Sequence, residues 1–156
     1  MLLPLFEWFE ATALGTAVRQ SLWAFPVIEA VHLLGLCLLG GSVLIVDLRL
    51  LGVGLRRSAI AEIAARARPW LMGGIAIMLL TGVPLFLSEA IKCYYNTSFW
   101  VKMSTLPFAL GFTFGVKGRI AADRTLETSA RSRVLGVLSI VLWFTVAAAG
   151  RWIGFS

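Results

Sequence analysis

Four long apolar stretches separated by short polar ones organise the chain. The first runs from about Leu22 to Val46 and is closed by Asp47 and Arg49; the second spans about Trp70 to Leu87. The third runs from near Phe99 to near Val116, and the fourth from about Val134 to Ile153. Each approaches the roughly 20 residues that a helix needs to cross a hydrocarbon core of about 30 Å, the second only narrowly. Ahead of them, Leu2, Leu5, Phe6, Phe9, Ala13 and Ala17 recur near a helical period, broken by Glu7 and Glu10. That pattern predicts an interfacial amphipathic helix within residues 1–19, with a frayed apolar terminus as the alternative. The expected fold is all-α: a four-helix membrane bundle forming a single domain over 1–156. The links between spans are a basic connector (Arg56, Arg57, Arg66, Arg68) that is helical only around Ile60–Ala67, a short neutral loop (Glu89, Lys92, Cys93, Tyr94, Tyr95, Asn96), and a second basic connector with Lys117, Arg119, Arg124, Arg131 and Arg133. Pro84 is expected to bend the exit of the second span.

Composition fits this layout: 59% of the 156 residues are hydrophobic and 14% charged, against about 25% charged in soluble domains. The net charge of +6 does not mark a nucleic-acid surface, because ten of the fourteen Lys and Arg residues fall in or beside the two basic connectors. The positive-inside rule then places those connectors in the cytoplasm and both termini in the periplasm, for a protein of the bacterial inner membrane. Trp23, Trp70, Trp100 and Trp152 sit near span ends, as amphipathic anchors do. The first ten residues contain two glutamates and no basic segment, so no cleaved signal peptide is expected. Cys37 and Cys93 form no zinc spacing and no CxxC; a buried apolar thiol and a loop thiol is the simplest assignment, and a disulfide between them is the alternative.

Ionisable groups at membrane depth mark functional candidates, because they are costly unless paired. Four qualify: Glu29, His32, Lys102 and, at a span end, Arg151. His32 is the only histidine and falls near the middle of the first span. Imidazole is proton-active near neutral pH and a common iron ligand, and equally it hydrogen-bonds between helices. Glu29 lies one turn earlier on the same face, placed to orient the ring, accept from Lys102 or relay protons, with a carboxylate that simply leans to the interface as the alternative. Lys102 is near enough to its span end to snorkel outwards. Gly35, Gly40, Gly41, Gly73, Gly74, Gly82 and the Gly111–Gly115 pair allow close helix contact or leave a slot for a flat ligand. A single histidine leaves no serine-hydrolase triad and no HExxH, and there is no nucleotide-binding glycine pattern.

The stretch from Ile28 to Gly35, with Asp47–Gly52, Ser21–Pro26 and Ala149–Phe155, resembles a group of small bacterial four-helix membrane proteins, the DUF6644 group. More distantly, the helix around His32 and the opening Phe99-Trp100-Val101-Lys102-Met103 resemble helices of the HemJ-type protoporphyrinogen oxidases, and CopD-like copper-resistance proteins share a related pattern. The HemJ resemblance implies haem b, with His32 as axial ligand to the iron, Lys102 as a functional lysine, and Arg151 placed for a propionate. With one histidine, the sixth iron position is open or filled by Lys102, Met103, another methionine or a neighbouring chain.

The function expected is therefore a haem b membrane redox protein, possible as an oxidoreductase, in which Lys102, Glu29 and Arg151 set the charge around the cofactor. It would exchange electrons with a quinone or porphyrinogen-like reductant and form a homo-oligomer. The alternatives are a copper or small-solute transport accessory using His32, Met103 and Cys37, and a cofactor-free structural subunit.

Overall fold

The computed structural model describes residues 2–54, 57–119 and 129–155. Its elements are α1 (Leu3–Glu10), α2 (Ala13–Gln20), α3 (Ala24–Leu50), α4 (Ile60–Ser88), α5 (Ala90–Tyr95), α6 (Thr97–Gly111), a π-helical segment (Phe112–Lys117) that continues α6, and α7 (Ala130–Ile153). All regular structure among the described residues is helical. Three helices, α3, α4 and α7, are long and apolar enough to cross a membrane. Large apolar side chains such as Leu80, Phe108 and Phe144 point outwards, an arrangement suited to an apolar solvent.

The long helices form an incomplete ring in which α4 packs on α3, α3 on α7, and α7 on α6, while α4 and α6 barely touch. Small residues bring the packed pairs together. A Cβ on Gly74 would sit 2.9 Å from backbone atoms of Leu39, and one on Gly136 would sit 3.2 Å from the Asp47 carbonyl oxygen. By contrast, Cβ atoms added at Gly40, Gly41, Gly111 and Gly115 would meet nothing within 4 Å, so the Gly111–Gly115 pair serves no helix contact among the described residues. Leu39, Val43, Ala109, Trp143 and Val146 fill the centre of the bundle. Val46, Leu50, Ile60, Ile63 and Ala67 close the end where α3 runs into α4.

Four local expectations change. The N-terminal segment is two helices, because Thr12 accepts from the Gly15 N–H and restarts the helix at Ala13. Both are tied to the bundle: Glu10 receives the Ile91 N–H at 2.7 Å and the Arg19 guanidinium at 2.6 Å, and Phe6 is buried against Phe86, Tyr94 and Phe99. The second span is part of one 29-residue helix that continues through Pro69 and Pro84 to Ser88. A proline inside a helix loses one backbone bond and strains the preceding turn without having to end the helix, and the buried Ile60, Ile63 and Ala67 hold the first turns in place. The expected loop after α4 is mostly the helix α5. The cysteines are free and reversed in setting: Cys37 is exposed on α3, whereas Cys93 is buried beside Phe6 and Phe99. Arg56 and Arg124 of the basic connectors lie outside the described residues.

Candidate functional site

Two polar clusters interrupt the apolar interior, one towards each end of the bundle. The first centres on His32, eight residues after the start of α3, or roughly 12 Å along the helix. Its Nδ1 lies 2.7 Å from the Thr81 hydroxyl on α4. That hydroxyl also lies 2.6 Å from the Ile77 carbonyl oxygen one turn earlier and donates to it. A hydroxyl has one proton; with it committed to Ile77, Thr81 accepts from His32, which assigns the imidazole proton to Nδ1. Nε2 is then the nitrogen with a free lone pair. The ring lies over Gly82, where a Cβ would stand 3.2 Å from Cε1; a larger residue would push the imidazole aside. Lys102 of α6 is near enough to His32 for their charges to interact, and its ammonium rests over Gly150 of α7, 3.4 Å from where a Cβ would be.

The structure thus places Lys102 within electrostatic range of His32, with no hydrogen bond between them among the described residues. It does not join the other two candidates to them. Glu29 is half-buried and makes no hydrogen bond or ion pair among the described residues, so the ring is oriented by Thr81. Arg151 is exposed, its guanidinium 4.2 Å from the Phe155 ring centroid.

The second cluster joins Asp47 and Lys117, assigned from sequence to a span boundary and a connector, to Ser139 of the fourth span. Asp47 is fully buried, and Lys117 is 6% exposed. The Lys117 ammonium lies 2.5 Å from Asp47 Oδ1 and donates at 3.2 Å to Ser139 Oγ, which in turn donates at 2.8 Å to Asp47 Oδ2. The closed triangle joins α3, the π segment and α7. A neighbouring bond, from Trp143 Nε1 to Thr113 Oγ1 at 2.9 Å, ties α7 to the same stretch. Ala109, Thr113 and Lys117 form one buried stripe. Four residues overshoot an α-helical turn by roughly 40°, so a longer α-helix would rotate such a stripe off the core. The wider π turn from Phe112 counters that drift and keeps Lys117 aimed inwards. The sequence signal for this cluster is periodic: Asp47 follows the buried Val43 by four residues and precedes the buried Leu50 by three, and Lys117 follows Thr113 by four.

Among the described residues no three His, Cys, Asp or Glu side chains gather as a metal cage.

The apolar helices and their outward faces define a multi-pass membrane protein. The chain belongs to DUF6644, a family of unknown function whose model matches residues 5–156. No curated protein and no solved structure matches it.

Proposed function

We propose that the protein is a haem b-binding membrane redox protein in which Nε2 of His32 is the axial ligand. The observation that carries this reading is the Thr81 hydrogen bond, which holds the imidazole by Nδ1 and leaves Nε2 as the free donor. Histidine ligands to metals generally have such a partner on the second nitrogen, fixing tautomer and ring orientation. Gly82 lets the ring pack directly on the α4 backbone, which fixes its position. The resemblance of this helix and of the Lys102 segment to HemJ-type proteins supports the same assignment.

A bound haem supplies one-electron chemistry and the protein tunes it. His32 would hold the iron of a bound haem. Lys102 provides a half-buried cation suited to a propionate or to the sixth iron position, and Arg151 offers a second cation at the end of α7. Glu29, one turn from His32 and without a partner among the described residues, would add a carboxylate near the cofactor. A quinone or porphyrinogen-like reductant would be the electron partner.

The topology that accompanies this reading has four spans. α6 with its π continuation supplies the fourth, because 15 residues alone reach only about 22 Å and the added turn lengthens them. The basic connectors face the cytoplasm of an inner membrane, both termini are periplasmic, and α1 and α2 lie at the interface. The unpacked glycines 111 and 115 offer a face for a second copy in a homo-oligomer. Among the described residues Cys37, five residues and roughly 140° around α3 from His32, does not share its face, and both Cys37 and Met103 are exposed.

The test is the haem content of protein purified in detergent from haem-supplied cells. The wild type should retain haem b, while His32→Ala and His32→Gln lose it. A haem-free wild type, or folded His32 variants with undiminished content, would overturn the proposal.

A further inference from the structure

At the end of the bundle opposite His32, a cleft of about 370 Å³ opens beside the buried ion pair. It lies where α4 and α6 fail to pack, so it faces sideways. Val43, Val46 and Leu71 give it an apolar floor, and Lys117 and Arg68 both line it. Lys117 is engaged with Asp47 and Ser139, which leaves one of its three N–H groups for the cleft. Arg68 is exposed and makes no hydrogen bond or ion pair among the described residues. The acids described at this end are Asp47 and Glu62, and each already has its cation, Lys117 and Arg66 respectively. Among the described residues the cleft therefore combines an apolar wall with positive charge at its edge that no described acid neutralises.

We propose that this cleft binds an anionic phospholipid, with its phosphate held by Arg68 and supported by Lys117 and its chain laid along Val43, Val46 and Leu71. Three properties argue for this occupant. A guanidinium matches a phosphate in a forked geometry and is weakly hydrated, so it pairs readily at an apolar boundary. The opening lies between outward-facing apolar helices, the direction from which lipid arrives. Basic pockets between membrane helices are also a recurrent setting for anionic head groups. The site is independent of the haem reading, since it shares no residue with the His32 cluster.

The test is native mass spectrometry of the detergent-purified full chain, titrated with dioleoyl-phosphatidylglycerol, dioleoyl-phosphatidylcholine or inorganic phosphate. The anionic lipid should bind at least tenfold more tightly than the zwitterionic one, and inorganic phosphate should not displace it. Arg68→Gln should bring the two lipids to equal affinity. Ala65→Trp, at an exposed position on the cleft wall, should block binding without touching the ion pair. Arg66→Gln, which removes an exposed arginine already paired with Glu62, should leave the preference intact. Equal affinity for both lipids in the wild type, retention of the preference in Arg68→Gln, or displacement by phosphate alone would each overturn the proposal. So would an Ala65→Trp variant that binds normally, or one that instead loses a dimer.

Discussion

Lys117 and Asp47 form a contact of 2.5 Å between the end of α3 and the π segment after α6, with Ser139 of α7 bonded to both. Both charges are withdrawn from solvent, so the pair is worth little relative to a well-packed apolar replacement, but leaving one charge alone is costly. Asp47→Leu or Lys117→Met should each destabilise the protein by about 3–5 kcal/mol, and the double variant should recover most of that loss. Thermal unfolding in detergent, arranged as a double-mutant cycle, reads this directly. Additive losses in the double variant would show that the two side chains do not depend on each other.

Glycine has two roles that substitution separates. At Gly74 a methyl group would come within 2.9 Å of Leu39 backbone atoms, which have no side chain to yield. Gly74→Ala should therefore part α3 from α4 and cost about 1–3 kcal/mol. Gly111→Ala meets nothing within 4 Å and should leave the fold intact, with a gain of at most about 1 kcal/mol from helix propensity. Its effect, if any, belongs to contact with another copy and is read by size-exclusion chromatography with light scattering. Equal destabilisation by the two variants would contradict this division.

Burial, and then the nearby Glu89 carboxylate, push the Cys93 thiol up to about 11 from an ordinary 9.0. The neutral thiol therefore adds stability that is complete below the unfolded value. Between that value and about 11, unfolding releases a proton and the contribution falls as pH rises. Comparing melting at about pH 8 and about pH 10.5, the wild type should lose more stability than Cys93→Ala. An identical loss in both proteins would remove Cys93 from the alkaline response.

Much of the architecture was legible from hydrophobic runs, because membrane-crossing helices must be apolar for about 20 residues whatever their partners. The runs at Leu22–Val46 and Val134–Ile153 correspond to α3 and α7. The extent of α4 was not legible: Arg66, Arg68 and Pro69 mark a connector by composition, yet Ile60, Ile63 and Ala67 bury one face of that stretch and keep it helical. His32 and Lys102 stand out as charges or potential charges inside apolar runs, and the fold sets them within electrostatic range of each other. Their supports do not stand out. Thr81 looks like any span threonine until α4 is set against α3, and the same holds for Ser139 beside Asp47. Asp47 and Lys117 sit next to basic connectors, where local composition assigns them to the surface. Only their long-range pairing places them in the core.

The His32–Thr81 geometry also separates ligand from support. Thr81→Val removes the oxygen that fixes the ring but leaves the imidazole, so it should weaken cofactor retention without abolishing it, by the order of 10–100-fold in affinity. Haem titration into cofactor-depleted protein, followed in the Soret region, measures this. Unchanged affinity would mean that Thr81 does not orient a ligand.

The most direct test of the account is the reduced-minus-oxidised optical spectrum of the detergent-purified wild-type protein beside His32→Gln. The account predicts a Soret band that sharpens on dithionite reduction in the wild type and is absent from a folded variant. A colourless wild-type protein from cells with ample haem, or a variant whose spectrum matches the wild type, would contradict it.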